Sequence, residues 1–187
     1  MGSVVASMSM SLDGFVAGPD DEVDHVFAWH DAGRPGAGAG ARADGAEVFP
    51  PGSLGSLVCG RRLFELTNAW GGRHPMGVPV VVVTHRVPDG WPRAGTPFTF
   101  VTDGVAGAVR RARELAGDRD VALATPSITR QCLALGLVDL IAVDLVPVLL
   151  GEGVPFFAGL AKAPLLLGTP AVVAGEGVTH LRYPVGR

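Results

Sequence analysis

Val78-Pro79-Val80-Val81-Val82-Val83-Thr84 is the stretch on which the reading of the fold turns. A β-branched residue at each of four successive positions, with no polar alternation, fits a strand covered on both faces. Such strands belong to parallel sheets flanked by helices. Working outward, further apolar runs fall at 3–10, 56–60, 98–102, 120–124 and 138–149, with a C-terminal pair near 170–175 and 178–184. Helical patterns lie between several of them. Val105 to Ala116 places Val105, Val109, Ala112 and Ala116 on one stripe, with Asp103 as the expected N-cap and Gly117 as the stop. Ser127 to Leu135 reads as a second helix, ended by Gly136, and Arg61 to Ala69 as a third. Strands alternating with helices predict an α/β three-layer sandwich around a mostly parallel sheet. The last three strands lack intervening helices, so the sheet is expected to finish antiparallel.

Composition narrows the function classes. The chain has 187 residues, 48% of them hydrophobic, which suits one domain (1–187) with a real core. Gly33 to Gly45 is Gly/Ala-rich without hydrophobic anchors, and 33–46 is expected to be a flexible loop. A formal charge of −3 argues against nucleic-acid binding. The cations are nearly all arginine, whose planar forks suit phosphate and carboxylate, although a GC-rich genome gives the same bias. Cys59 and Cys132 lie in separate apolar segments and read as buried free thiols. No basic-then-apolar leader and no run near the roughly 20 residues of a membrane span is visible. A soluble, cytoplasmic protein is expected. The five histidines lack metal-ligand spacing with acids or cysteines, so no metal is expected. His25 and His30 fit an exposed helix face better than a metal site.

Three segments carry candidate chemistry. Leu12-Asp13-Gly14-Phe15-Val16-Ala17-Gly18 puts an acid where a strand runs into a loop. A solvated turn aspartate before glycine is the commoner use of that dipeptide. Gly60-Arg61-Arg62 turns a strand into an Arg-led helix. The helix dipole disfavours arginine at that end, which lends weight to an external anion, a solvated Arg pair being the plain alternative. Thr84-His85-Arg86 ends the valine strand with a hydroxyl, an imidazole and a guanidinium. These suit an adenosine 2′-phosphate, or simply a polar loop.

Taken in order, SLDGFVAGPDD (11–21), VCGRRLFE (58–65), VVVVTHR (80–86), the 128–157 helix-plus-strand segment and GVTHLRYPV (177–185) resemble the dihydrofolate reductase-like family. The resemblance is to the branch containing the reductase domain of bacterial riboflavin biosynthesis. It implies NADPH lying along the C-terminal edge of the sheet and a homodimer. Gly60, Arg61 and Arg62 would then meet phosphates, and Thr84, His85 and Arg86 the 2′-phosphate. Val16, Ala17 and Gly18 would cover the nicotinamide, with Asp13 accepting a substrate N–H or helping to deliver a proton. Ala124, Thr125, Ser127 and Ile128 would line the second phosphate turn.

That turn departs from the branch, whose members usually carry Gly-Gly there. Ala124-Thr125-Pro126 adds side chains, and Pro126 removes an N–H. A β-branched threonine also resists positive φ if the turn needs it. Two functions follow. One is an NADPH-dependent reductase of a small heterocyclic or carbonyl/imine substrate. The other is a family member that has lost NADPH and acts as a ligand-binding or non-redox catalytic protein. Leu140 to Leu150 offers either a dimer interface or plain core.

Overall fold

The computed structural model describes residues 2–31 and 48–186, so the expected loop at 33–46 lies outside the described residues. In chain order the elements are β1 (Val4–Ser11), β2 (Phe15–Ala17), α1 (Asp24–Asp31), β3 (Leu54–Gly60) and α2 (Arg61–Leu66). A 3-10 segment, Asn68–Gly72, precedes β4 (Val80–Val83), β5 (Phe98–Val101), α3 (Val105–Ala116), β6 (Asp120–Leu123) and α4 (Pro126–Ala134). The chain finishes with β7 (Leu140–Val146), β8 (Val154–Pro155), β9 (Ala171–Gly175) and β10 (Val178–Pro184). Eight strands form one mostly parallel sheet in the order β5-β4-β3-β6-β1-β7-β10-β9, ending antiparallel, while β2 and β8 pair separately.

Two compact units divide the chain, and β1 contributes to both: Val4–Ala6 to the first, the remainder to the second. The first unit also holds Phe49–Asp139, and the second Ser7–Val48 and Leu140–Gly186.

In the first unit every strand pair is parallel. Val80, Val81 and Val82 have no exposed surface, which is why an unbroken valine run is needed: both faces of β4 are covered. On one face Phe64 of α2 is the aromatic hub, edge-on to Trp91, Phe98 and Phe100 with centroids 4.9, 5.3 and 5.2 Å away. Edge-to-face pairs of this kind add about 0.5–1.5 kcal/mol each beyond burial. α3 covers β3, β4 and β6 through its stripe Val105, Ala108, Val109, Ala112 and Ala116. Its N-cap is Gly104, not Asp103. The Asp103 carboxylate lies over Gly107 and pairs with Arg110 at 3.4 Å instead.

α2 stops at Leu66, three residues short of the expected end. Thr67 turns its hydroxyl back to the Leu63 carbonyl at 2.8 Å, and Asn68, Ala69, Trp70, Gly71 and Gly72 all take positive φ. Left-handed alanine and tryptophan are costly, on the order of 1–3 kcal/mol each. Burial of Ala69 in the aromatic core and stacking of Trp70 on Phe98 hold them there.

In the second unit β7, β10 and β9 are antiparallel neighbours, as expected for strands joined without helices. Ile141 to Asp144 are buried, while Leu149 beyond the strand is 69% exposed. Asp144 faces His180 directly across the β7–β10 ladder and accepts from it at 2.8 Å, and Arg182 adds contacts of 3.3 Å. α1 seats Val26 in the core. Trp29 donates to Ser9 at 3.0 Å and meets His180 edge-on. His25 and His30 are both exposed on this helix, His30 stacked on Trp29, and no metal-ligating cluster occurs among the described residues.

Candidate functional site

In the first unit, parallel strands β3, β4 and β6 deliver the candidate residues to their C-terminal ends, where α/β sheets bind ligands. Gly60 closes β3 and caps α2, so Arg61 is the first residue of that short helix. Arg61 pairs with Glu65 at 2.7 Å and donates to the Arg86 carbonyl at 3.3 Å. The second bond ties the β3–α2 turn to the segment after β4. There Thr84, buried, closes a tight turn: its hydroxyl donates to the Arg86 carbonyl at 2.6 Å and accepts from the Arg86 amide at 3.3 Å. His85 and Arg86 project outward, Arg86 meeting Asp89 at 3.3 Å, and Arg62 is exposed beside Arg61.

These ion pairs are exposed and weak. The Arg61–Glu65 side chains are 44% and 48% exposed, and exposed i,i+4 pairs contribute only about 0.3–0.5 kcal/mol.

The β6–α4 turn behaves differently. Thr125 is extended at φ −143°, ψ 142°, so the positive-φ objection to threonine does not apply. Pro126 opens α4 in comfort, one residue earlier than expected. The Thr125 hydroxyl makes no cap; it accepts the Gly60 amide at 3.3 Å. A Cβ added at Gly60 would meet that hydroxyl at 3.6 Å, Ile128 at 3.8 Å and Ser127 at 3.9 Å. The space above the Gly60 backbone is thus already lined by the chain's own side chains. Fitted against NADPH, the Thr84–Arg86 and Arg61 cluster suits the adenosine phosphate. The Gly60 amide, by contrast, is partnered before any pyrophosphate arrives.

In the second unit, Asp13 follows β1 and is bound from three directions. The Ser11 hydroxyl donates to Oδ1 at 2.6 Å, the Leu150 amide to Oδ1 at 3.2 Å and the Gly151 amide to Oδ2 at 2.7 Å. Ser11 and then the Gly151 amide hold the carboxyl below its ordinary value, opposed by slight desolvation. Ser11 also accepts the Phe15 amide at 2.9 Å. Val16 and Ala17 belong to β2, with side chains only 3% and 6% exposed, and Gly18 is buried too. This segment is therefore a strand paired with β8, not a loose loop, and it presents backbone more than side chain.

No family model and no curated protein matches the sequence. Solved structures do. A candidate riboflavin biosynthesis protein from Shewanella sp. PV-4 aligns over 99% of both chains at 20% identity, with a TM-score of 0.70. A Thermotoga maritima diaminohydroxyphosphoribosylaminopyrimidine deaminase/5-amino-6-(5-phosphoribosylamino)uracil reductase matches with a TM-score of 0.65 at 13% identity. That alignment covers 99% of this chain and 57% of that one. Dihydrofolate reductase from Enterococcus faecalis, complexed with NADP(H), aligns over 100% and 98% of the two chains at 12% identity, TM-score 0.57. The chain has the dihydrofolate reductase-like fold.

Within this dihydrofolate reductase-like chain the first unit brings Gly60, Thr125, Ser127 and Ile128 together, and joins Arg61 to the Thr84–Arg86 turn. Sequence reasoning missed Ser11, Glu65, Asp89 and the Leu150 and Gly151 amides, which hold the candidate residues in place. The i,i+4 spacing of Arg61 and Glu65 was a usable signal. The amides at 150 and 151 carried none, being 137 and 138 residues from Asp13.

Proposed function

We propose that the protein is an NADPH-dependent reductase acting on a small heterocyclic or carbonyl/imine substrate. The observation that carries this reading is the arginine-linked turn pair. Arg61 bonds the Arg86 carbonyl, so two guanidinium groups, a hydroxyl and an imidazole sit on neighbouring parallel strand ends. Neighbours of the same fold are reductases by name, and one is complexed with NADP(H), which supports the reading further.

When bound, NADPH supplies the hydride. Arg61 and Arg86 hold phosphate charge, Thr84 fixes the Arg86 backbone, and His85 adds a donor at the same edge. Ser127 and Ile128 offer amides at the start of α4, where Pro126 has none to give. Val16, Ala17 and Gly18 keep the nicotinamide role implied by the resemblance. Asp13 stays ionised at neutral pH, because its three donors favour the carboxylate. It therefore acts by accepting a substrate N–H and by ordering the 148–156 segment; a proton for the product comes from elsewhere.

The second reading, a ligand-binding or non-redox catalytic protein without NADPH, draws on one observation: the Thr125 hydroxyl already occupies the Gly60 amide. Titration decides between them. NADPH and NADH are added while intrinsic fluorescence and thermal shift are followed. The reductase reading expects saturable NADPH binding, weakened at least tenfold by Arg61→Ala or Arg86→Ala, and weaker NADH binding. No response at millimolar NADPH overturns it and leaves the second reading.

A further inference from the structure

A cavity of about 500 Å³ opens in the first unit, lined among others by Phe64, Glu65, Asn68, Asp89, Trp91 and Arg93. None of the proposed nucleotide contacts lies in its wall. Three properties of that wall converge on one ligand chemistry. Its floor is aromatic: Phe64 is buried, and Trp91 is only partly covered, keeping ring surface toward solvent. Its rim holds two carboxylates, Glu65 and Asp89, both exposed, each using one oxygen for an arginine outside the cavity. The second oxygen of each carboxylate remains able to accept.

The third property is that a cation already lies in the cavity wall. The Arg93 guanidinium sits over the Trp91 ring at 4.6 Å from its centroid, while its Nε donates to the Gly90 carbonyl at 3.4 Å. Arg93 is itself exposed, so nothing but the ring face and that weak bond holds it there. The chain's own side chain thus reports what this surface attracts. The neighbouring wall is shaped by the left-handed run at Asn68–Gly72, a conformation alanine and tryptophan rarely adopt.

We infer that this cavity is a binding site for a small planar organic cation, of the amidinium or guanidinium class, stacked on Trp91 and paired with Glu65 and Asp89. The ring supplies the face, the carboxylates supply the charge, and Arg93 is the resident that a ligand displaces. Neutral aromatic compounds of the same shape gain the stacking alone. Anionic ones meet the carboxylates and are rejected.

The test uses three isosteric probes on the full chain: benzamidine, benzamide and benzoate. The chain has three tryptophans, so three indole N–H signals report separately in a proton–nitrogen spectrum, and Trp91→Phe assigns the relevant one. Benzamidine should shift the Trp91 signal saturably at millimolar concentration or below. Benzamide should bind at least tenfold more weakly, and benzoate not detectably. Glu65→Gln with Asp89→Asn should weaken benzamidine at least fivefold, and Arg93→Ala should tighten it severalfold by removing the resident. Both carboxylates are exposed, so the double variant should fold, which the unshifted remainder of the spectrum confirms. No saturable shift, equal binding of benzamide, or indifference to the double substitution overturns the inference. None of these arms involves a nucleotide, so the site stands or falls apart from the reductase reading.

Discussion

Replacing Thr125 with glycine restores a bare backbone at the β6–α4 turn and releases the Gly60 amide. The magnitude follows from the bond being removed. At 3.3 Å the Gly60 amide to Thr125 hydroxyl bond is long for an N–H···O contact, so its net contribution lies near the low end, about 0.5 kcal/mol. A released amide that meets a phosphate makes a bond to a charged group, worth about 1.5–3 kcal/mol. At about 1.4 kcal/mol per factor of ten, the difference predicts NADPH binding about tenfold tighter in Thr125→Gly. The cost is about 1–1.5 kcal/mol of stability, the lost bond plus the backbone freedom of glycine. In a chain of this size that lowers Tm by about 2–6 °C. Calorimetric titration with NADPH measures the gain, and Thr125→Ser, which keeps the hydroxyl, should bind like the parent. A Thr125→Gly variant no tighter than the parent, or a serine variant as tight as the glycine one, refutes the reasoning.

Three further outcomes follow from the second unit. A Cβ at Gly153, whose φ is +146°, would collide with the Ala17 carbonyl, so Gly153→Ala should cost about 2–4 kcal/mol by denaturant unfolding. An unchanged midpoint would show that β2 and β8 part easily. Asp144→Asn removes the buried carboxylate that His180 and Arg182 both contact and should cost about 3 kcal/mol; a loss under about 1 kcal/mol contradicts that. Asp13 titrates below 3.8 in the folded protein, so its stabilisation is present above 3.8 and is lost as pH falls through the folded value. The stability difference between the parent and Asp13→Asn should therefore be constant from pH 5 to 7 and shrink below about pH 4. A difference that changes around neutrality would show the carboxyl titrating there.

Elements dictated by local pattern were readable from the sequence. The valine run, the stripe from Val105 to Ala116 and the antiparallel finish each rest on a periodicity or on the absence of a helix, and all three stand in the structure. What could not be read depends on distant partners. Two- and three-residue strands such as β8 and β2 are too short to carry a period. The left-handed turn at Asn68–Gly72 contradicts the propensity of Ala69 and Trp70, and only tertiary packing holds it. Asp103 was displaced as a cap because Gly104 takes φ 90°, which a glycine permits at little cost. At the candidate site, Arg61 and Thr84–Arg86 were singled out from residue type and strand ends, and the structure links them through the Arg61 bond to the Arg86 carbonyl. The Thr125–Gly60 bond was invisible because it joins residues 65 apart.

The first strand has a consequence for how this chain is made. Val4, Val5 and Ala6 are synthesised more than a hundred residues before their parallel partners, Val121, Ala122 and Leu123. At about 5–20 residues per second, these apolar residues wait on the order of 6–23 s for that strand to be synthesised. Val4 must also await Asp139, whose carboxylate accepts its amide and whose own amide donates to its carbonyl. During that interval these three residues form an unpaired, fully apolar segment of the kind that chaperones bind. Translation speed across residues 7–120 therefore sets how long this buried parallel segment stays at risk.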